Sequence, residues 1–114
     1  MKLDEYQQAA VKTDLTAGKG SGVLSIQFMD KVLGLLGESG EFAEKLKKIL
    51  RDKDAKLSES DKQELAKELG DVLWYVAVIA NYLDTPLEDI AASNLNKLKS
   101  RHARGKLTGS GDNR

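Results

Sequence analysis

The chain has 114 residues, with 18 Lys and Arg against 18 Asp and Glu, one Pro and no Cys. That length suits one domain with one core, and a net charge of zero gives no bulk pull toward nucleic acid or a membrane surface. Without Cys there are no disulfides, thiolate nucleophiles or thiolate zinc sites, which fits a reducing cytoplasm. The opening LDEYQQ is too polar for the apolar stretch of a signal peptide. The best apolar run, residues 72–80, falls well short of the ~20 residues of a membrane span. Strand-type runs are scarce, so the expected class is all-α.

In chain order, residues 3–13 read as a short first helix with Leu3, Tyr6, Ala10 and Val11 toward one side. Residues 14–22 read as a loop. Its GKGSG lacks the spacing and the preceding strand of a phosphate loop. From about 24 to 51, Phe28, Val32, Leu35, Leu36, Phe42, Ala43, Leu46, Ile49 and Leu50 follow helical spacing, interrupted by Gly34, Gly37 and Gly40. Each glycine costs about 1 kcal/mol against Ala in a helix, so close approach of a ligand or a neighbouring helix is expected there. Ser60 with Gln63 reads as a capping box opening a third helix to about residue 83. Thr85, Pro86 and Glu88 read as N-cap, first and third positions of a fourth helix to about residue 104. Residues 105–114 form a polar, Gly-rich tail, and nothing divides residues 1–114 into more than one domain. The expected protomer is four-helix bundle-like, with a short first helix and an antiparallel hairpin of the second and third.

Chemistry concentrates in two i,i+3 carboxylate pairs, Glu38 with Glu41 and Glu68 with Asp71. At ~100° per residue, Glu41 lies about 60° to one side of Glu38, and the stripe of Phe28, Leu35, Phe42, Leu46 and Leu50 about 80° to the other. Asp71 lies about 60° to one side of Glu68, and Leu65, Leu69, Val72, Val76 and Leu83 about 70° to the other. If the two helices pack antiparallel, as a short connection favours, the matched offsets bring all four acids to one edge. Four carboxylates at close quarters raise one another's pKa unless a cation compensates. No His stands in a Glu-x-x-His arrangement, so all-oxygen ligation points to Mg²⁺, with Mn²⁺ as a substitute. The bland alternative is a solvated acidic face paired with Lys45, Lys48 or Lys67.

The stretches LGLLGESGEFAEKLKK and KELGDVLWYVAVIANYLDTPLEDIAASNLNKLKSR resemble the MazG-like family of all-α nucleoside triphosphate pyrophosphohydrolases. Its Glu-x-x-Glu, spacer, Glu-x-x-Asp pattern is met with 26 residues between Glu41 and Glu68. Tyr6-Gln7, Thr13 and the closing Gly-x-Gly-Asp-x-Arg extend the resemblance over nearly the whole chain. It implies hydrolysis of a nucleoside triphosphate between the α and β phosphates, with Glu38, Glu41, Glu68 and Asp71 as magnesium ligands. A carboxylate free of metal would take the proton of the attacking water, and Glu41 or Glu44 suits that role. Some relatives carry an extra acid directly before the first metal-binding Glu, where this chain has Gly37, which leaves the base open. Asn94, Lys97 and Arg101 share one side of the fourth helix and are candidates to meet the triphosphate, and Asn94 with Lys97 resembles the family's Asn-x-x-Lys pattern. Arg104, Lys106 and Arg114 are further candidates to close over phosphates.

Trp74 and Tyr75 are candidates to stack on a base, with core or subunit-interface packing as the other reading of Trp74. Tyr82 and Phe42 read as core, and His102 as a surface residue. Leu24, Met29, Val78 and Ile79 have no obvious cover. Similar proteins are obligate oligomers, so a homodimer or homotetramer in the cytoplasm is expected. Two other functions stay open: phosphoribosyl-ATP pyrophosphohydrolase, and a non-catalytic helical interaction or regulatory module.

Overall fold

The computed structural model describes residues 1–17 and 22–114. The Gly-Lys-Gly-Ser run of the first loop lies outside them. Among the described residues there are four helices and no strand: α1 (Leu3–Val11), α2 (Ile26–Asp52), α3 (Glu59–Tyr82) and α4 (Leu87–Ala103). Among the described residues no helix is long and apolar enough to cross a membrane.

The starts of α2 and α3 are set by their caps. Ser25 accepts the Phe28 amide at 3.0 Å, so α2 opens at Ile26. Leu24, with φ of 66°, stays outside. At α3 the capping box is Ser58 with Asp61, two residues before the expected Ser60 with Gln63. Ser58 Oγ accepts the Asp61 amide and Asp61 Oδ2 accepts the Ser58 amide, each at 3.1 Å. A carboxylate wins over Gln here because it also draws Lys53 Nζ to 2.6 Å. The Lys53 bond, then the two Ser58 bonds, hold Asp61 at about 2. Its contribution is therefore present above its unfolded value of about 3.9 and lost as pH falls through about 2. Carbon-detected titration of Asp61 should show that low midpoint, and Asp61→Asn should raise amide exchange in the first turn of α3.

α2 and α3 form the expected antiparallel hairpin. Cross-hairpin partners run in opposite order along the two helices: Phe28 with Tyr82, Gly34 with Tyr75, Lys45 with Glu68, and Lys53 with Asp61. Helices α1 and α4 cover only the far half of α3. The core sits there, built from Ala10, Ala77, Val78, Tyr82 and Leu87, with Tyr6, Phe28, Trp74 and Val76 packed against it. Val78, expected to lack cover, is fully buried, whereas Leu24 and Met29 are exposed. The radius of gyration is 17.1 Å, against about 13 Å for a compact globule of this length.

The entry to α4 departs from the sequence reading. The Thr85 hydroxyl does not cap it but donates to Leu83 O at 2.9 Å. The free amides of Leu87 and Glu88 instead donate to Gln7 Oε1 and Asp4 Oδ1 of α1, each at 2.9 Å. Gln7 Nε2 also donates to Ala77 O and Thr85 O, at 3.2 and 3.0 Å. One buried amide thus joins three helices. Gln7→Leu should cost about 2–3 kcal/mol in urea unfolding, because it strips buried backbone groups of their partners.

A second polar knot ties the first loop to the hairpin. Asp14 Oδ1 accepts from the Thr16 amide and hydroxyl and faces Lys31 Nζ at 3.2 Å, while Oδ2 accepts from Tyr82 at 3.0 Å. Burial alone would push Asp14 up. The bonds from Thr16, Tyr82 and Lys31 outweigh it and hold Asp14 below the usual carboxylate range.

Candidate functional site

Glu38 on α2 meets Glu68 and Asp71 on α3 midway along the hairpin. One carboxylate oxygen from each lies within 4.8 Å of the others. The antiparallel register makes this possible. The wheel reading needs one correction: Leu46 and Leu50 of α2, and Leu69 and Leu83 of α3, were assigned to the core stripes but face solvent. Glu38 and Glu68 are half-buried beside Leu35, Phe42 and Val72. Glu38 and Glu68 therefore lie in the helix–helix seam itself, with Asp71 exposed at its edge. A long exposed hairpin leaves no second layer to bury those leucines.

Crowding sets the electrostatics. Partial burial, then the charges of Asp71, Glu68 and Glu41, push Glu38 above its ordinary value. Glu41 is exposed and outside the trio, yet close enough to be felt by Glu38. Glu44, one turn along from Glu41, is exposed. A carboxyl held up by like charges accommodates an added cation, and three convergent oxygens with no sulfur or nitrogen suit a hard one. The compensating charge inside the chain is Lys45, whose Nζ lies 2.5 Å from Glu68 Oε1 and 3.6 Å from Glu64 Oε2. Lys48 and Lys67 do not pair with the trio, Lys67 being held by Glu64 at 2.6 Å. Burial, then the Asp71 charge, raise Tyr6 of α1 above its ordinary value.

The glycines divide. A Cβ on Gly34 would lie 2.2 Å from a ring carbon of Tyr75, so only Gly lets that ring cross α2 one turn before Glu38. Gly37 and Gly40 have no neighbour within 4 Å and face open space. Tyr75 rests edge-on against Trp74 with centroids 4.9 Å apart. Trp74 Nε1 donates to Thr13 Oγ1 at 2.8 Å, turning the indole toward α1 and the core. Tyr82 is buried, Phe42 only half-buried, and His102 is exposed.

Among the described residues no hydrogen bond or ion pair links Asn94, Lys97 or Arg101 to the acids; α4 packs on α1 and α3. Asn94 is exposed. Lys97 and Arg101 are held by the tail: Asp112 Oδ1 lies 2.7 Å from Lys97 Nζ and 3.1 Å from Arg101 Nη2, which also donates to the Asp112 carbonyl. The polar tail thus packs on α4 by hydrogen bonding. Arg114 donates to the carbonyls of Lys106, Leu107 and Gly111, and Arg104 donates to the Arg114 carbonyl. Of the three lysines expected to neutralise an acidic face, Lys45 is the one that pairs with Glu68; it sits seven residues, two turns, after Glu38 on the same face. Asp112 stands in the closing Gly-x-Gly-Asp-x-Arg, but no helical periodicity marks its pairing with Lys97 and Arg101.

The MazG nucleotide pyrophosphohydrolase domain matches residues 29–105, which take in both acidic pairs, nearly all of the hairpin, and α4. The chain is 50% identical over 115 residues to the Gene 37 protein of Mycobacterium phage L5, covering 100% of both chains. No solved structure matches it. With the acidic seam of the α2–α3 hairpin inside the matched region, the chain belongs to the MazG nucleotide pyrophosphohydrolase family.

Proposed function

We propose that the protein hydrolyses nucleoside triphosphates to nucleoside monophosphates and pyrophosphate, using Mg²⁺ held by Glu38, Glu41, Glu68 and Asp71. The observation that carries this is the convergence of Glu38, Glu68 and Asp71 oxygens from two helices within 4.8 Å. Glu41 is exposed beside them and reaches the cluster by a rotamer change of its flexible stem. Bound there, the metal supplies charge neutralisation at the phosphates and a water of lowered pKa. The chain's own part is to hold the acids in the seam and to take the proton from water. Glu44, exposed on the same stretch of α2 and outside the ligand set, serves as that base. Tyr75, over Gly34, offers a face to the nucleotide.

A homodimer or homotetramer completes the pocket. Met29, Leu33, Leu36, Leu69 and Leu73 are exposed along the hairpin, a stripe that a second copy would cover. Lys97 and Arg101 then reach phosphates from α4 of that copy, exchanging Asp112 for phosphate oxygens. The role is removal of surplus or non-canonical nucleotides in the cytoplasm. The test is a panel of ribo- and deoxyribonucleoside triphosphates, with phosphoribosyl-ATP included, assayed for pyrophosphate with Mg²⁺. Turnover of triphosphates supports the reading, turnover of phosphoribosyl-ATP alone replaces it with the histidine-pathway reaction, and no turnover removes it.

A further inference from the structure

We propose that Lys45 is a resident counter-ion of the metal site: its ammonium holds Glu68 in the metal-free protein and transfers to Glu64 when a divalent cation arrives. The inference rests on the proposed metal site and adds to it a residue that competes for one of its ligands. Three observations support it. Lys45 Nζ lies 2.5 Å from Glu68 Oε1, and Glu68 is one of the three acids whose oxygens converge. The same Nζ lies 3.6 Å from Glu64 Oε2, one turn earlier on α3 and outside the trio. The Lys45 side chain is 35% exposed, against 12% for Glu68, so the ammonium can move while the carboxylate is fixed by packing.

The chemistry follows from charge. Without metal, the trio gathers three carboxylates, two of them half-buried and Asp71 exposed, and the lysine lowers their mutual repulsion. A divalent cation on Glu68 places two positive charges beside the ammonium, which then repels it. A lysine with no other anion in reach would oppose the metal throughout. Glu64 removes that obstacle, because a small rotation of the lysine stem carries the ammonium from one carboxylate to the next. Glu64 Oε1 is already taken by Lys67 at 2.6 Å, which leaves Oε2 facing Lys45. Lys45 thus sets how tightly the site takes metal before substrate brings its own phosphate oxygens.

Calorimetric titration of the nucleotide-free protein with Mn²⁺ tests this without reference to activity. Lys45→Met keeps the stem and removes the competitor, and should tighten Mn²⁺ binding about five- to tenfold. Glu64→Gln removes the alternative partner and should weaken binding in the wild-type background, with a much smaller effect once Lys45 is Met. Lys67→Met removes a positive charge from the same turn of α3 without touching the trio, and should leave affinity within about twofold. Unchanged or weaker binding in Lys45→Met overturns the proposal, as does equal tightening in Lys67→Met. If neither wild type nor Lys45→Met binds Mn²⁺, the metal site itself is wrong and the counter-ion role goes with it.

Discussion

Asp71→Asn and Glu68→Gln should each lower pyrophosphate release about a thousandfold, while the helical circular-dichroism signal stays intact. The magnitude is that of losing several kcal/mol of charge stabilisation at the phosphates, at about 1.4 kcal/mol per tenfold. The fold should survive because these acids oppose one another in the metal-free chain. Glu38 shows the sign. Its pKa is raised by partial burial and by Asp71, Glu68 and Glu41. A carboxyl raised on folding binds more protons in the native state, so it lowers stability at neutral pH and relieves that penalty as pH falls through its folded value. Glu38→Gln should therefore melt higher than wild type without metal, and lose the melting-temperature rise that Mg²⁺ gives wild type. A variant that melts lower without metal yet keeps its activity would show these acids to be structural.

Lys31→Met should produce the largest loss of stability, about 3–5 kcal/mol. The Lys31 and Asp14 side chains are 7% and 1% exposed, so the change leaves a buried carboxylate without its cation. Thr16 and Tyr82 still donate to Asp14, which keeps the cost short of full desertion. In thermal melts the fall should exceed about 10 °C. The double change Asp14→Asn with Lys31→Met removes both charges and should recover part of it, a coupling that independent surface effects would not show. The pH window follows from both shifts. Asp14 is lowered, so its contribution is present above its unfolded value and lost as pH falls through the folded one. Lys31 is raised because its bonds to Asp30 and Asp14 outweigh burial; its contribution is present below its unfolded value and lost as pH rises through the folded one.

The knot around Asp14 shows where sequence legibility stops. The pairing of Glu38 with Glu68 and Asp71 was readable, because i,i+3 spacing and a short connection fix which faces of an antiparallel hairpin meet. Which leucines face inward was not. Leu46, Leu50 and Leu69 keep helical period with the true seam, and only the long exposed hairpin decides that they look outward. A cap made within four residues could be anticipated to within a turn, as Ser58 beside the expected Ser60 shows. The caps of α4 could not, because Gln7 and Asp4 come from a helix some 80 residues earlier. Gln7 carries no chemistry as a letter in a sequence. Its value appears only when Ala77, Thr85 and Leu87 surround it. Lys45 was readable only as one of three lysines able to neutralise an acidic face, and its place two turns from Glu38 settles which one does so.

The central claim, that the acidic seam directs water to the bond between α and β phosphates with a bound metal, is tested most directly by phosphorus NMR of a nucleoside triphosphate with the protein and Mg²⁺. Monophosphate and pyrophosphate should appear in equal amounts, with no reaction in excess chelator or in Asp71→Asn. Orthophosphate with a nucleoside diphosphate, or turnover that persists in chelator, would contradict it.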